Sequence, residues 1–139
     1  MKILYTTTAI SLGEGRVGEA MLEDGSMKFE MDFPESMGGK NKDAKNSEQF
    51  FALAFAACFH GALKLAAKLS NVTIDDSKVY ATVSMAQEDS GGYCLAVKIK
   101  AEIPGVDEET GKMLMEKAHT ICPFSKATKD NIQVDLELA

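Results

Sequence analysis

At the start of the chain an apolar run, Ile3-Leu4-Tyr5, is followed by three threonines, and residues 2–9 read as a strand. Ser11-Leu12-Gly13-Glu14-Gly15 reads as a turn. Residues 16–23 and 26–33 predict two further strands, joined by the hairpin signal Asp24-Gly25. A polar loop over residues 34–45 carries Pro34, Gly38-Gly39 and several lysines. The pattern then changes period and predicts a long helix from Asn46 to Leu69. Asn46 suits its N-cap, with Gln49 three residues on as a capping box requires. Glu48 stands in the first turn, where the helix dipole favours a carboxylate.

The body of this helix, Phe50 to Phe59, is apolar all round. Only His60, Lys64 and Lys68, spaced by four, break it as one wet stripe. An unbroken apolar run of this length falls short of the about 20 residues that span a bilayer, so the helix is expected inside a protein. A domain this small struggles to surround it alone, and a second subunit is expected to cover part of it. Downstream, residues 78–87 and 93–103 predict strands around Ser90-Gly91-Gly92, with Leu95, Val97, Ile99, Ala101 and Ile103 on one face. Pro104-Gly105 ends the second, and Asp107 caps a helix to Ile121 whose inward stripe is Thr110, Leu114, Ala118 and Ile121. Cys122-Pro123 opens a turn or short helix, with Pro123 at its first position. Residues 131–138 alternate as a closing strand. The order predicts one α+β domain over residues 1–139, two helices against antiparallel sheet.

Composition narrows the function. The 139 residues are 45% hydrophobic and 26% charged, an ordinary globular balance. A formal charge of −6, with no basic cluster, disfavours nucleic acid and anionic membranes as partners. The opening residues lack the apolar core and cleavage site of a signal peptide, and a cytoplasmic location is expected. The three cysteines, Cys58, Cys94 and Cys122, are too few for a disulfide framework and leave reactive or merely buried thiols.

Cys58 sits in the apolar helix, where burial should raise its pKa and leave it inert unless a cation lies nearby. Arg16 is the one arginine among fifteen cationic residues. It is either a surface residue or a guanidinium kept for a forked contact that lysine cannot make. Glu48 is explained by its first-turn position alone. Cys122 is either a thiol at a helix start, where the thiolate is favoured, or a buried turn residue. Cys94 falls on the outward face of its strand and reads as incidental. Cys58, His60, His119 and Cys122 contain the donor types of a zinc site. Residues two apart on a helix point about 200° apart, however, so Cys58 and His60 cannot face one metal. No metal is expected; His60 is assigned to the polar stripe and His119 to an exposed helix face.

Taken together, Leu4-Tyr5-Thr6, Gly15-Arg16-Val17, the segment Asn46 to Ala52, Ala56-Ala57-Cys58-Phe59, the segment Glu116 to Ser125 and Asn131-Ile132 resemble the organic hydroperoxide resistance branch of the Ohr/OsmC family. The resemblance covers nearly the whole chain. Ser47 stands where proline is common, and Cys94 has no counterpart. The resemblance implies antiparallel sheets wrapped around a long buried central helix and a second helix, in an intertwined homodimer. It further implies a peroxidase with no bound cofactor. Cys58 would attack the hydroperoxide and become a sulfenic acid, and Cys122 would condense with it to a disulfide. A dithiol of the lipoyl type, protein-bound or small, would reduce that disulfide. Arg16 would hold the thiolate and Glu48 would orient Arg16. The phenylalanines and methionines would suit alkyl or fatty-acid hydroperoxides.

Helix geometry adds a constraint. On one unbroken helix, Glu48 and Cys58 lie about 15 Å apart and about 80° out of phase. Either the helix breaks, or Glu48 and Arg16 serve the Cys58 of a second chain; the second is expected. The alternatives are the sister OsmC branch and a non-catalytic redox sensor or apolar-ligand binder. No recognition helix or basic face supports a DNA-binding regulator.

Overall fold

The computed structural model describes residues Met1–Ala139. The chain forms two compact units, Met1–Phe50 and Phe51–Ala139.

The first unit is an antiparallel meander of β1 (Ala9–Gly13), β2 (Gly18–Leu22) and β3 (Lys28–Met31). The Asp24-Gly25 turn joins β2 and β3 as expected, with Leu22 N–H donating to Met27 O at 2.9 Å. The first strand is displaced from its expected place. Residues 1–8 carry no regular element, and the residues read as a turn begin with β1. Residues 2–9 have strand propensity, but strand backbone needs a hydrogen-bonded neighbour, and β2 supplies one only for Ala9–Gly13. The turn therefore moves to residues 14–17, closed by Glu14 N–H to Val17 O at 2.8 Å. Gly18 permits that closure. Its φ is +146°, and a Cβ there would lie 2.1 Å from Leu12 O. Beyond β3 the polar loop holds a short 3₁₀ turn, Glu35–Met37, and returns to bridge Met31 with Lys45.

Helix α1 runs unbroken from Ser47 to Leu69. Its start is the expected reciprocal box. Asn46 Oδ1 accepts from Gln49 N–H at 2.9 Å, and Gln49 Oε1 accepts from Asn46 N–H at 3.0 Å. Asn46→Ala should cost about 1 kcal/mol, read as a lower denaturant midpoint with unchanged slope.

The second unit holds most of α1, β4 (Lys78–Gln87), β5 (Tyr93–Glu102), α2 (Glu108–Ile121), α3 (Pro123–Thr128) and β6 (Gln133–Leu138). The α+β class holds, with one refinement. β4 and β5 pair antiparallel, whereas β6 pairs parallel to β5, because α2 and α3 form the crossover between them. Val97, Ile99, Ala101 and Ile103 face inward from β5 and its end, as their alternation requires. They meet Phe55, Phe59, Leu63 and Ala66 of α1 and Leu114, Met115 and Ala118 of α2 in one core. The α2 stripe is Gly111, Leu114, Met115 and Ala118, with Ile121 packed at its edge. Thr110 is spent instead on the cap, its N–H and Oγ1 both donating to Asp107.

By length and composition α1 could cross a membrane. It is instead the central element of this core. Its burial is one-sided: only a third of its apolar window is buried, and Leu53, Ala54, Ala57, Gly61 and Leu65 remain exposed. The polar stripe is not simply wet. His60 Nε2 lies 2.9 Å from Ser77 Oγ, and Lys64 Nζ donates to Ile74 O at 2.8 Å, tying residues 70–77 to the helix. Burial, then Lys64, lowers the His60 pKa, so its ring is neutral at neutral pH.

Candidate active site

The structure gathers the four sequence-predicted residues as two pairs, one in each unit.

In the first unit the pair is Arg16 and Glu48. The tight β1–β2 loop presents Arg16, and the first turn of α1 presents Glu48. The guanidinium donates from both terminal nitrogens, Nη2 to Oε1 at 2.8 Å and Nη1 to Oε2 at 3.2 Å. This is the two-pronged contact that lysine cannot make. The hydrogen bonds from Arg16 hold the Glu48 carboxyl below its ordinary value against the effect of burial, and Glu48 raises Arg16 further. Both groups are ionised at neutral pH. One support was not legible in the sequence: the Phe33 ring, whose centroid lies 5.8 Å from the guanidinium carbon. Asp32 fixes that stretch by accepting backbone N–H bonds from Phe33, Lys40 and Asn41 at 2.8–2.9 Å. An acidic residue after a strand and before a Pro/Gly loop was the available signal. Arg16 borders an apolar hollow of about 540 Å³, walled by Met21, Met27, Phe29, Met31 and Phe50.

In the second unit the pair is Cys58 and Cys122. Both are free thiols, with Cys122 Sγ directed at Cys58 Sγ across 3.5 Å. Cys58 is half-buried on α1, whereas Cys122 is fully buried between α2 and α3. The link from Cys122 to Pro123 makes this meeting possible. Cys122 ends α2 with extended backbone and Pro123 starts α3 at once, so the residue sits in a bend. Phe124, just beyond the bend, packs on Phe51 and Phe55 with ring centroids 6.1 and 5.7 Å apart. Burial pushes the Cys58 thiol up, and the adjacent Cys122 thiol adds to this. The backbone N–H of Phe124 faces the sulfur and favours its anion. The sequence offered no sign of that donor.

The remaining candidates separate from these pairs. Cys94 is exposed at the open end of β5, opposite Ala86. His60 points to Ser77. His119, expected on an exposed face, is half-buried with Nδ1 shielded from solvent, on a helix that packs against both α3 and β6. No three His, Cys, Asp or Glu side chains converge as a metal set.

Comparison with known proteins decides the family. The family model for OsmC-like proteins matches residues 39–137. The chain belongs to the OsmC-like family. Its similarity within this family is to the organic hydroperoxide resistance proteins. It is 37% identical to the organic hydroperoxide resistance protein of Xanthomonas axonopodis pv. citri, over 99% of this chain and 96% of that one. The organic hydroperoxide resistance protein OhrB of Bacillus subtilis is also 37% identical, covering 97% of this chain and 98% of its own length. The crystal structure of an organic hydroperoxide resistance protein from Elizabethkingia anophelis superposes with a TM-score of 0.92 at 41% identity, over 100% of this chain and 99% of that one. That of Bacillus subtilis OhrB superposes at 0.88, with 36% identity over 99% of this chain and 100% of that one. The OsmC-like fold thus covers the whole chain.

Proposed function

We propose that this OsmC-like chain is a thiol peroxidase that reduces alkyl or fatty-acid hydroperoxides to alcohols. The observation that carries this reading is the approach of two reduced sulfurs, one half-buried and one buried, to 3.5 Å. A disulfide needs about 2.05 Å, so closure asks for a shift of the two side chains rather than of the fold. In the first step the Cys58 thiolate attacks the hydroperoxide oxygen distal to the organic group. The O–O bond breaks, the alkoxide leaves and takes a proton, and Cys58 becomes a sulfenic acid. Cys122 then displaces water to form the disulfide. An external dithiol of the lipoyl type, small or carried on a protein, reduces it by exchange. Thiol cycling of this kind belongs in a reducing compartment, the cytoplasm.

Burial alone leaves Cys58 as a poor nucleophile. The ionised Arg16, held by Glu48, is the cation that offsets that cost and polarises the peroxide. The hollow beside Arg16 has the methionine and phenylalanine walls that an alkyl chain prefers to water. Helix α1 is unbroken, and along such a helix Glu48 and Cys58 stay about 15 Å apart. This supports a homodimer in which Arg16 and Glu48 of one chain serve Cys58 of the other. The exposed apolar face of α1 is a further reason to expect a second subunit.

The test is one equivalent of tert-butyl hydroperoxide added to reduced protein, followed by mass spectrometry of alkylated peptides. A Cys58–Cys122 disulfide is expected, with continued peroxide consumption once a dithiol is supplied. Stable oxidation at Cys94 instead would refute the assignment. A single oxidation per chain without turnover would make the protein a sensor rather than an enzyme.

A further inference from the structure

Of the seven phenylalanines, all but one are engaged in packing with other apolar groups. Phe29 pairs with Phe50, while Phe51, Phe55 and Phe124 form a cluster and Phe59 is fully buried in the core. Phe33 belongs to neither set: it is half-buried, outside the core and without an aromatic partner. What its ring meets is the Arg16 guanidinium, whose carbon lies over it at 5.8 Å from the centroid. Several devices hold that ring. Phe33 precedes Pro34, which confines its backbone to extended conformations. Its N–H donates to Asp32 Oδ1 at 2.8 Å, and Asp32 Oδ2 accepts from the N–H groups of Lys40 and Asn41, each at 2.9 Å. One carboxylate thus ties both ends of the loop that follows β3. Gly39 closes against the Phe33 carbonyl: a Cβ at that position would stand 1.7 Å from Phe33 O, so only glycine fits.

Arg16, by contrast, sits in a turn with little to restrain it. Glu14 N–H to Val17 O closes that turn, and Gly13, Gly15 and Gly18 around it all have positive φ. The Arg16 side chain is 40% exposed, so water competes with Glu48 for its N–H donors. Resting on the reading of Arg16 as the cation that activates Cys58, we propose that Phe33 is a positioning residue, whose ring holds the guanidinium in place without neutralising it. The choice of an aromatic ring has a physical reason. Glu48 already offsets one unit of charge. A second carboxylate would make the group net negative and disfavour a thiolate beside it. A ring attracts a cation through its quadrupole and carries no net charge, so the restraint leaves the field of Arg16 intact. Leucine at this position would cover similar apolar surface but lacks that attraction, whereas tyrosine keeps it.

Two measurements on the full-length protein test this: the pH midpoint of Cys58 alkylation, followed by mass spectrometry of its peptide, and the rate of tert-butyl hydroperoxide reduction with a dithiol. Phe33→Leu should move the midpoint to higher pH, in the direction of Arg16→Ala. It should also slow peroxide reduction about two- to fivefold at neutral pH, the scale of one partly exposed cation–ring contact. Phe33→Tyr should match the unmodified chain in both. In an Arg16→Ala background Phe33→Leu should have no further effect, because the ring acts only through the guanidinium. An unmoved midpoint and rate in Phe33→Leu, while Arg16→Ala shifts both, would overturn the role of Phe33 and leave the peroxidase reading standing. Equal losses in Phe33→Leu and Phe33→Tyr would reduce the ring to packing and overturn it too. So would an undiminished effect of Phe33→Leu in the Arg16→Ala background. An unmoved midpoint in Arg16→Ala itself would refute the assignment of Arg16 to Cys58, and the role of Phe33 with it.

Discussion

Cys58→Ser should abolish consumption of tert-butyl hydroperoxide in the presence of a dithiol, leaving only the uncatalysed rate. A serine hydroxyl has no accessible anion near neutral pH, and no neighbouring base is arranged to create one. Cys122→Ser should behave differently: it should still be oxidised once at Cys58 and then stall or over-oxidise, because no second sulfur lies within reach of the sulfenic acid. Arg16→Ala should also lose most activity, for an electrostatic reason. Burial raises the Cys58 thiol, and a cation near a buried anion favours the charged form and lowers it again. The thiolate fraction falls as that pKa rises, so the pH dependence of Cys58 alkylation should shift to higher pH in Arg16→Ala. If Arg16 acts across a dimer, mixed dimers of Arg16→Ala and Cys58→Ser chains regain one complete site and part of the activity. No rescue in confirmed mixed dimers would refute action across the dimer.

The second large effect concerns stability. Phe55→Ala should destabilise the protein by about 3–5 kcal/mol, a substantial part of the about 5–15 kcal/mol typical of a domain. Phe55 is fully buried on α1. Its ring meets Phe51 at 5.9 Å edge-on and Phe124 at 5.7 Å. Truncation removes the transfer free energy of the ring and leaves a space that two aromatic neighbours cannot fill without moving. Phe124 follows the Cys122–Pro123 bend, and its N–H faces Cys58, so the damage should extend to the thiol pair. The midpoint of chemical denaturation measures the first effect. The yield of Cys58–Cys122 disulfide after one equivalent of peroxide, at temperatures where the variant is folded, measures the second. Phe55→Leu, which keeps more of the volume, should cost less on both.

Much of the architecture is written in local chemistry. The Asn46–Gln49 box, the Asp107 cap, the Asp24-Gly25 turn and Pro123 at a helix start each act within a few residues. Sequence pattern therefore locates those boundaries closely. The alternation of Val97, Ile99, Ala101 and Ile103 likewise names the buried face of β5, because side-chain direction has period two whatever the partner. The same local reading singled out Arg16, Glu48, Cys58 and Cys122 only as candidates. The resemblance to a family supplied their grouping.

What tertiary structure decided is everything that depends on a distant partner. Residues 2–9 have strand chemistry, yet the ladder starts at Ala9, since pairing with β2 and not propensity sets where a strand forms. The parallel pairing of β6 depends on where α2 and α3 deliver the chain. His119 lies half-buried, with Nδ1 shielded, rather than exposed, and its place on α2 alone did not determine that. The Phe33 ring beside Arg16 and the Phe124 N–H beside Cys58 left no mark in composition or spacing. The sequence by itself determined which residues could form a helix start, a core face or a reactive thiol, because those properties are local. Only the fold set two sulfurs 64 positions apart in sequence at 3.5 Å, and a guanidinium on a carboxylate 32 positions away, because such meetings arise from packing rather than from neighbouring residues.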